Sequence, residues 1–377
     1  MAIYLDYAAT APMPSPVVDA YASALRLVGN PSSIHSQGQD ARRVLEDARE
    51  QVAASLGADR VEVTFTGGGT ESVNLGIKGL YWSRVSPPRN RILVPLAEHH
   101  ATIEAVEWLA THEGAVIDWV PVDSVGRIDL DYLASALGPD VALVTLLMAN
   151  NEIGTIQPVA EVAALAAGHG IPVHVDAIAA YGYLPIDFHA LGVAALSVSA
   201  HKIGGPVGVG ALVIARDAVI EPLVHGGSQQ RGRSGTQDAA GAAAFGAAAS
   251  LGLHTSTGLR DRLISGVLAA EPTAVLRGDP LHRLPGNAHF TFPGCEGDSL
   301  LFLLDSAGFS VSTGSACQAG VPEASHVLLA LGLDEPTARG ALRFTLGRDT
   351  TEAEVDALVA ALPAAVAAAR AAGLAAD

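Results

Sequence analysis

The first clear pattern of apolar and polar positions in the chain is helical. In residues 40–56, apolar side chains recur every three or four positions, as on one face of an amphipathic helix. Gly57 follows directly, and glycine is the residue type that most easily adopts the left-handed conformation after a helix end. The pattern predicts a helix with one buried face, formed by Ala41, Val44, Leu45, Ala48, Val52 and Leu56.

Short apolar runs follow this helix and alternate with segments long enough to form helices. Strands that are buried on both faces read as continuous apolar runs, as in a mainly parallel sheet covered by helices. The alternation therefore predicts α/β architecture, with functional side chains at the strand ends. The predicted strands are residues 61–65, 91–96, 141–147, 171–175 and 194–198.

The pattern changes near residue 255. Strands are predicted at residues 287–292, 309–313 and 340–346, and an Ala-rich helix closes the chain from about Thr351. This indicates a smaller α+β domain. The closing helix is apolar, but its acidic residues favour a helix docked on the protein over one that lies on a membrane.

Length and charge narrow the class of protein. A chain of 377 residues exceeds the roughly 250–300 residues that one hydrophobic core supports, so two domains are expected. Its 49% hydrophobic and 16% charged residues indicate a packed globular protein. A net charge of −17 without any basic run argues against direct binding of nucleic acid.

No segment has the pattern of a signal peptide or a membrane span. Residues 1–16 lack a basic start followed by an apolar run, and apolar runs such as residues 141–148 are far shorter than the ~20 residues of a spanning helix. We therefore expect a cytoplasmic protein. With Cys295 and Cys317 as its only cysteines, a disulfide framework is not expected, and one thiol can be reactive.

Residues 64–75, with the sequence TFTGGGTESVNL, lead from a predicted strand through three glycines into a helix. Free backbone N–H groups and the helix dipole at such a turn attract an anion such as phosphate. The turn lacks both the Lys-Ser or Lys-Thr of a Walker loop and the GxGxxG spacing of dinucleotide sites. A plain glycine-rich turn remains the alternative.

Asp176 ends one predicted strand, and Lys202 follows the next strand 26 residues later. Pyridoxal phosphate requires an amine for its aldehyde, a carboxylate opposite its ring nitrogen and a cup for its phosphate. Lys202, Asp176 and the turn at residues 67–72 supply all three. Taken singly, the aspartate could cap a helix and the lysine could lie on a solvated loop, but the combination favours the cofactor.

Two adjacent histidines, His99 and His100, could suggest a metal, yet neighbouring side chains diverge and no other ligands stand at metal-site spacing. No metal site is predicted. One histidine beside a strand end can instead lie over a cofactor ring and transfer protons.

The two cysteines differ in their surroundings. Cys317 lies among small residues in STGSACQAG, where a thiol can reach into a cleft, whereas Cys295 is followed by an acidic residue and is predicted to be structural. Arg343 lies in a predicted strand and needs an anionic partner, either a substrate carboxylate or an internal Asp or Glu.

Over nearly its full length the chain resembles the cysteine desulfurases associated with iron–sulfur cluster assembly and nitrogen fixation. The related fold is a class V aminotransferase dimer that binds pyridoxal phosphate, and the resemblance implies a large domain with a mainly parallel seven-stranded sheet between helices, besides a small α+β domain. The matching motifs occur in order and are YLDYAATAP, GNPSSIHSQG, TGGGTESVN, EHHA, ANNEIGTIQP, HVDA, SAHKIGGPVGVGAL, RSGT, STGSAC and LRFTLG.

The resemblance assigns roles to individual residues. It implies that Lys202 binds the cofactor aldehyde, Asp176 pairs with the ring nitrogen, and His99 stacks on the ring and assists proton transfer. Asn151 and Arg343 would bind the substrate carboxylate. The phosphate would be held by Gly69, Thr70, Ser199, His201 and, across the dimer interface, Thr236 of the partner subunit.

The resemblance also implies a reaction and a domain division. Lys202, displaced by cysteine, would remove the substrate's Cα proton, and the Cys317 thiolate would then attack the substrate sulfur to give alanine and a persulfide. A charged neighbour such as His99 could help to ionise Cys317. Residues 14–254 would form the large domain, and residues 1–13 with 255–377 would form the small one.

Two positions depart from the family pattern. Ala179 stands where a glutamine is expected to contact the cofactor's phenolic oxygen, which predicts altered tuning of the cofactor. The segment before RSGT is one residue shorter than expected, which bears on the contact of Thr236 across the dimer.

The alternatives are selenocysteine lysis, transamination or carbon–nitrogen cleavage on the same fold, or a catalytically inactive scaffold that binds the cofactor. The thiol of Cys317 favours desulfuration over these. The sulfur acceptor, an iron–sulfur scaffold or a tRNA-thiolating enzyme, stays open.

Overall fold

A computed structural model of the chain describes residues 2–84, 89–315 and 324–373. Cys317 lies outside these ranges. Within them, residues up to about 250 alternate between helices and strands as the apolar pattern predicts. The helices of this part are α1 (Ser15–Ala24), α2 (Ser36–Ser55), α3 (Gly69–Trp82), α4 (His100–Glu113), α5 (Leu130–Ala136), α6 (Val159–Ala167), α7 (Phe188–Leu191) and α8 (Ala239–Ala249).

The strands of this part form one twisted sheet of seven. Their order is β2-β8-β7-β6-β5-β3-β4, and β8 alone among them runs opposite to the direction of the other six. The predicted α/β architecture with a mainly parallel seven-stranded sheet is therefore confirmed. The strands are β2 (Val63–Thr66), β3 (Arg91–Pro95), β4 (Val116–Val120), β5 (Val141–Leu147), β6 (Val173–Asp176), β7 (Ala195–Ser199) and β8 (Gly210–Ile214).

The rest of the described chain forms smaller sheets covered by helices. An antiparallel sheet has the order β12-β10-β9, and a parallel pair joins the N-terminal β1 to β11. These elements are β1 (Ile3–Tyr4), α9 (Thr257–Ala270), β9 (Val275–Arg277), β10 (Asn287–Thr291), α10 (Gly297–Ser306), β11 (Phe309–Ser310), α11 (His326–Ala330), α12 (Glu335–Arg339), β12 (Ala341–Thr345) and α13 (Glu352–Gly373).

Buried side chains separate into clusters that follow these two groups of elements. Two clusters cover the two faces of the large sheet. A third combines Leu5 with buried residues between 263 and 369. The division into residues 14–254 and residues 1–13 with 255–377 stays a prediction, which this distribution of buried side chains supports.

Several element bounds differ from the sequence prediction. Helix α2 begins at Ser36 rather than residue 40, because the Nδ1 atom of His35 accepts a hydrogen bond from Gly38 N at 3.3 Å and caps the helix. The strand predicted at 309–313 ends at Ser310. Strands β1, β4, β8 and β9 were not predicted. Of these, β4 is a half-exposed edge strand, and β8 begins at a glycine.

In contrast to the expectation from the sequence that no segment has the pattern of a membrane span, the closing helix α13 is long and apolar enough to span a membrane by length and composition. It packs instead on α9 and α10, and Pro363 lies inside it. One face is fully buried against the protein, through Val355, Leu358, Leu362 and Val366. This arrangement agrees with the predicted docked terminal helix.

The start of β8 packs closely on the glycine-rich turn. A Cβ atom added to Gly210 would lie 2.6 Å from the backbone carbonyl carbon of Gly68. Gly68 itself has φ of 137°, which glycine adopts at little cost. The two glycines therefore allow strand and turn to approach until their backbones touch.

Replacing Gly210 with alanine should displace the turn, because backbone atoms cannot move aside as a flexible side chain can. We expect Gly210→Ala to lower the free energy of unfolding by about 1–3 kcal/mol, measured by urea denaturation. Gly258→Ala is the matched control, since a Cβ there meets no atom within 4 Å. Equal stability of the two variants would contradict the close contact.

Candidate active site

The carboxyl ends of parallel strands bring the predicted site residues to one edge of the large sheet. Asp176 ends β6, where it pairs with Leu147 of β5 on one side and Ser197 of β7 on the other. Ser199 ends β7, and a 3₁₀ turn over Ala200–Ile203 then carries Lys202. Two predicted cofactor residues thus lie on neighbouring strand ends.

Asp176 is a carboxyl group buried without a full counter-charge. Its side chain is 3% exposed, and Oδ1 accepts a hydrogen bond from Ile178 N at 2.9 Å. Burial raises its pKa to about 6, against the opposing effects of that N–H group and of Lys202. A cation placed against this carboxylate would therefore be strongly favoured.

Lys202 is held beneath the N-terminal segment of the chain. Its Nζ atom donates hydrogen bonds to the carbonyl oxygens of Ala8 and, at 3.1 Å, of Ala9. Burial, together with the charge of Arg343, lowers the pKa of Lys202 to about 8, although Asp176 and Asp6 oppose the shift. A larger fraction of the amine is consequently uncharged near neutral pH than in an exposed lysine.

His99 caps helix α4 with its own ring. The Nδ1 atom accepts from Ala101 N at 3.0 Å, which assigns the proton of the neutral ring to Nε2. Burial first, and then the charge of Lys202, lowers the pKa of His99 to about 4. His99 is therefore neutral near pH 7, and we do not assign it the role of a cation beside Cys317.

The glycine-rich turn meets the ends of β6 and β7. A Cβ atom on Gly69 would lie 2.5 Å from the Cδ1 atom of Ile178 and 3.4 Å from the Cβ atom of Ser199. The Oγ atom of Ser199 is buried and has no hydrogen-bond partner among the described residues. An unpaired hydroxyl beside the N-terminus of the 14-residue helix α3 suits an anion.

Three other predicted phosphate ligands are more exposed in this chain than Ser199. Thr70 and Thr236 are exposed in the protomer. His201 is half-buried, with Nδ1 3.4 Å from Oγ1 of Thr10, and burial lowers its pKa to about 4. Their contacts with a phosphate stay predictions.

Arg343 has the internal partner that the sequence left open as an alternative. Its Nη2 atom donates to Oδ1 of Asp6 at 2.8 Å, and Nη1 donates to the carbonyl oxygen of Asn151 at 2.9 Å. Its Nε atom is buried without a partner in the described part of the chain. The predicted binding of a substrate carboxylate would add to, or replace, the contact with Asp6.

Cys295 lies in the core of the smaller part, 5% exposed. Burial raises the pKa of its thiol, a larger effect than any neighbouring charge. This agrees with the predicted structural role. Cys317 lies outside the described residues.

Sequence reasoning missed a buried acid, Glu98, immediately before His99. Its Oε1 atom accepts from Leu147 N at 2.9 Å, and Leu147 is the strand partner of Asp176. Burial raises the pKa of Glu98 well above its usual range. The only sequence signal was an acidic residue close after an apolar strand, a pattern shared by many helix caps.

Comparison with known proteins agrees with this geometry. The family described as Aminotransferase class-V matches residues 3–358. The IscS-like cysteine desulfurase of Mycobacterium tuberculosis is 52% identical over 368 residues, which cover 94% of this chain and 93% of that protein.

Solved structures give the same result. A NifS-like protein has a TM-score of 0.90 at 34% identity, covering 97% of this chain and 100% of its own. SspA in complex with cysteine has a TM-score of 0.82 at 31% identity, covering 91% of this chain and 98% of its own.

The chain belongs to the class V aminotransferase family. Within that family it belongs to the cysteine desulfurases of the IscS and NifS type.

The lowered pKa of Lys202 can be tested directly, because Lys78 is the only other lysine in the chain. In the cofactor-free protein, a small amine-reactive reagent should label Lys202 faster as pH rises, with a midpoint at about pH 8. Peptide mass spectrometry separates the two lysines.

The control is the urea-unfolded chain, in which burial is lost and Lys202 should approach the ordinary pKa of 10.5. The same labelling midpoint in the folded and the unfolded protein would contradict a lowered pKa of Lys202 in the folded state.

Proposed function

We propose that this cysteine desulfurase uses pyridoxal phosphate to convert L-cysteine to L-alanine and a persulfide on Cys317. The observation that carries the proposal is the pair formed by buried Asp176, at the end of β6, and partly buried Lys202, in the turn after β7, two ionisable groups with shifted pKa values. Strongly shifted pKa values cluster at functional sites, where burial and neighbouring charges are arranged to produce them.

The residues present fit the cofactor. Asp176 offers a buried carboxylate for a protonated ring nitrogen, and Lys202 offers an amine for the aldehyde. The free Oγ atom of Ser199 and the N–H groups that begin α3 suit the phosphate. Once bound, the cofactor withdraws electrons from the substrate's Cα atom, so that its C–H bond can ionise.

The chain's own groups then handle protons. Lys202, with a pKa of about 8, can accept the Cα proton when it is uncharged. Neutral His99 keeps Nδ1 on the backbone of α4 and can donate a hydrogen bond through Nε2. Asn151 and Arg343 are the proposed contacts for the substrate carboxylate.

The sulfur step balances without an external oxidant. The Cys317 thiolate attacks the substrate sulfur, and the new S–S bond forms as the Cβ–S bond breaks. The electron pair of that bond stays with Cβ, which gains a proton and becomes the methyl group of alanine. Both sulfur atoms are oxidised and Cβ is reduced, so cysteine and thiol give alanine and persulfide.

The persulfide would pass to a protein acceptor, such as an iron–sulfur scaffold or a tRNA-thiolating enzyme. We further propose a cytoplasmic homodimer in which Thr236 serves the partner's phosphate site. The exposure of Thr236 in the protomer supports this. The segment before it is fixed by Arg233, whose Nε atom donates to Oε1 of Glu71 at 2.9 Å.

Turnover of cysteine under anaerobic conditions tests the reaction. We expect alanine and sulfide in equal amounts when a reducing thiol releases the sulfur, and a persulfide on Cys317 by mass spectrometry. Cys317→Ser should abolish the persulfide and reduce alanine formation by at least about 100-fold, since Cys295, the other cysteine of the chain, is buried.

Cys295→Ser is the matched control and should retain the persulfide on Cys317. Lys202→Ala should abolish alanine formation. A keto-acid product, or turnover that does not depend on Cys317, would favour an aminotransferase or a lyase instead.

The raised pKa of Asp176 predicts that Asp176→Asn stabilises the cofactor-free protein but weakens the binding of the cofactor. In the cofactor-free protein the folded state holds this proton more tightly than the unfolded chain, so stability falls as pH rises from about 3.8 to about 6. The shift corresponds to about 3 kcal/mol. Asp176→Asn should therefore stabilise the cofactor-free protein at pH 8 and weaken its retention of the cofactor.

Urea denaturation measures the stability of the cofactor-free protein, and dialysis against buffer measures how well the loaded protein retains the cofactor. Asp129→Asn is the control, because Asp129 caps the exposed start of α5 and should change neither quantity. Destabilisation of the cofactor-free protein by Asp176→Asn would contradict the uncompensated burial of this carboxylate.

A further inference from the structure

The strand that leads into the glycine-rich turn, β2, lies at the edge of the large sheet. Among the described strands only β8 pairs with it, although all four of its residues are buried. The backbone groups on its other side therefore need hydrogen bonds from elsewhere. Residues 230–233 supply several of them. These residues belong to the segment that is one residue shorter than the family pattern, and the proposed reaction does not use them.

The side chain of Gln230 takes the place of a neighbouring strand at Phe65. Its Oε1 atom accepts from Phe65 N at 3.0 Å, and its Nε2 atom donates to the carbonyl oxygen of Phe65 at 2.6 Å. One residue further along, the carbonyl oxygen of Arg231 accepts from Oγ1 of Thr64 at 2.8 Å. The strand is thus fixed on its free side directly before the glycine-rich turn begins.

The same segment also reaches the first turn of helix α3. Gly232 has φ of 71°, and the chain turns back there so that Gln230 and Arg233 form an isolated antiparallel bridge. The Nε atom of Arg233 donates to Oε1 of Glu71 at 2.9 Å. The second oxygen of Glu71, Oε2, accepts from Gly67 N at 2.7 Å. Glu71 therefore connects Arg233 to the backbone of the glycine-rich turn.

The charge of Glu71 is unfavourable at this place. Glu71 lies in the first turn of α3, and the N-terminus of this helix is the proposed site of the cofactor phosphate. Two negative charges so close together repel each other, and Arg233 compensates part of the charge of Glu71. The hydrogen bonds of Glu71 to Gly67 and Arg233 give a geometric reason for a carboxylate here.

We propose that Glu71 and Arg233 are positioning residues that, together with Gln230, hold the glycine-rich turn in the conformation that receives the cofactor phosphate. Gln230 fixes the strand before the turn, and the pair of Arg233 and Glu71 fixes Gly67 relative to α3. The N–H groups at the start of α3 and the Oγ atom of Ser199 are then preorganised for the phosphate. The inference rests on the proposed binding of pyridoxal phosphate.

The test compares two ligands of the cofactor-free protein, pyridoxal phosphate and pyridoxal, which lacks the phosphate. Absorbance titration measures the affinity for each. We expect Glu71→Ala to weaken the binding of pyridoxal phosphate about tenfold, since the hydrogen bonds to Gly67 and Arg233 are lost. The affinity for pyridoxal should stay within about twofold, because this ligand does not need the phosphate turn.

The direction of the change separates positioning from electrostatics. If Glu71 acted only through its charge, its removal would relieve the repulsion of the phosphate and tighten the binding. Tighter or unchanged binding of pyridoxal phosphate by Glu71→Ala would therefore overturn the proposal. An equal loss of affinity for pyridoxal would overturn it as well, since the whole site would then be affected and not the phosphate turn.

Glu335→Ala is the matched control. Glu335 also lies in the first turn of a helix, the five-residue α12, and its carboxylate pairs with Arg339 at 2.8 Å. Because this pair belongs to the smaller part of the protein, Glu335→Ala should change neither affinity. A tenfold loss of affinity for pyridoxal phosphate in this variant too would overturn a specific role of Glu71.

A double-mutant comparison tests whether Glu71 and Arg233 act together. Because they act through one contact, Glu71→Ala combined with Arg233→Ala should bind pyridoxal phosphate no more weakly than the weaker single variant. Multiplied losses of affinity would overturn the pairing. A wild-type protein that binds neither pyridoxal phosphate nor pyridoxal would instead refute the proposed function itself, whatever the variants do.

Discussion

The structure depends on one electrostatic constraint: a carboxyl group and an amine are removed from water at neighbouring strand ends. Asp176 closes β6, and Lys202 follows β7 within three residues of its end. Burial pushes the pKa of Asp176 up and that of Lys202 down, so each group is less charged than it would be in water. In the chain itself, the N–H group of Ile178 and the charge of Lys202 offset only part of the cost at Asp176.

The surrounding sheet provides the rigidity that such a site requires. Parallel strands end together at one edge, and the antiparallel strand β8 brings Gly210 against the turn at Gly68. The turn then places the start of α3 beside Ser199. The N-terminal segment covers Lys202 with the carbonyl groups of Ala8 and Ala9. The contact at the turn and the hydrogen bonds of Lys202 therefore limit how far this edge of the sheet can move.

Much of this arrangement could be predicted from the sequence, because fully buried strands such as β5 are continuous apolar runs. The half-exposed strand β4 gives no such signal. Contacts between distant segments were also out of reach, since spacing cannot show that Arg343 meets Asp6, 337 residues away. The neutral state of His99 depends on burial and on the charge of Lys202, which only the folded chain provides.

We propose that Asp176 pairs with the protonated ring nitrogen of the cofactor. The most direct test compares the affinity of the cofactor-free protein for pyridoxal phosphate with its affinity for the analogue in which carbon replaces that nitrogen. We expect the wild-type protein to bind pyridoxal phosphate much more tightly than the analogue, and Asp176→Asn to lose most of this preference. An equal preference in the wild-type protein and the variant would contradict it.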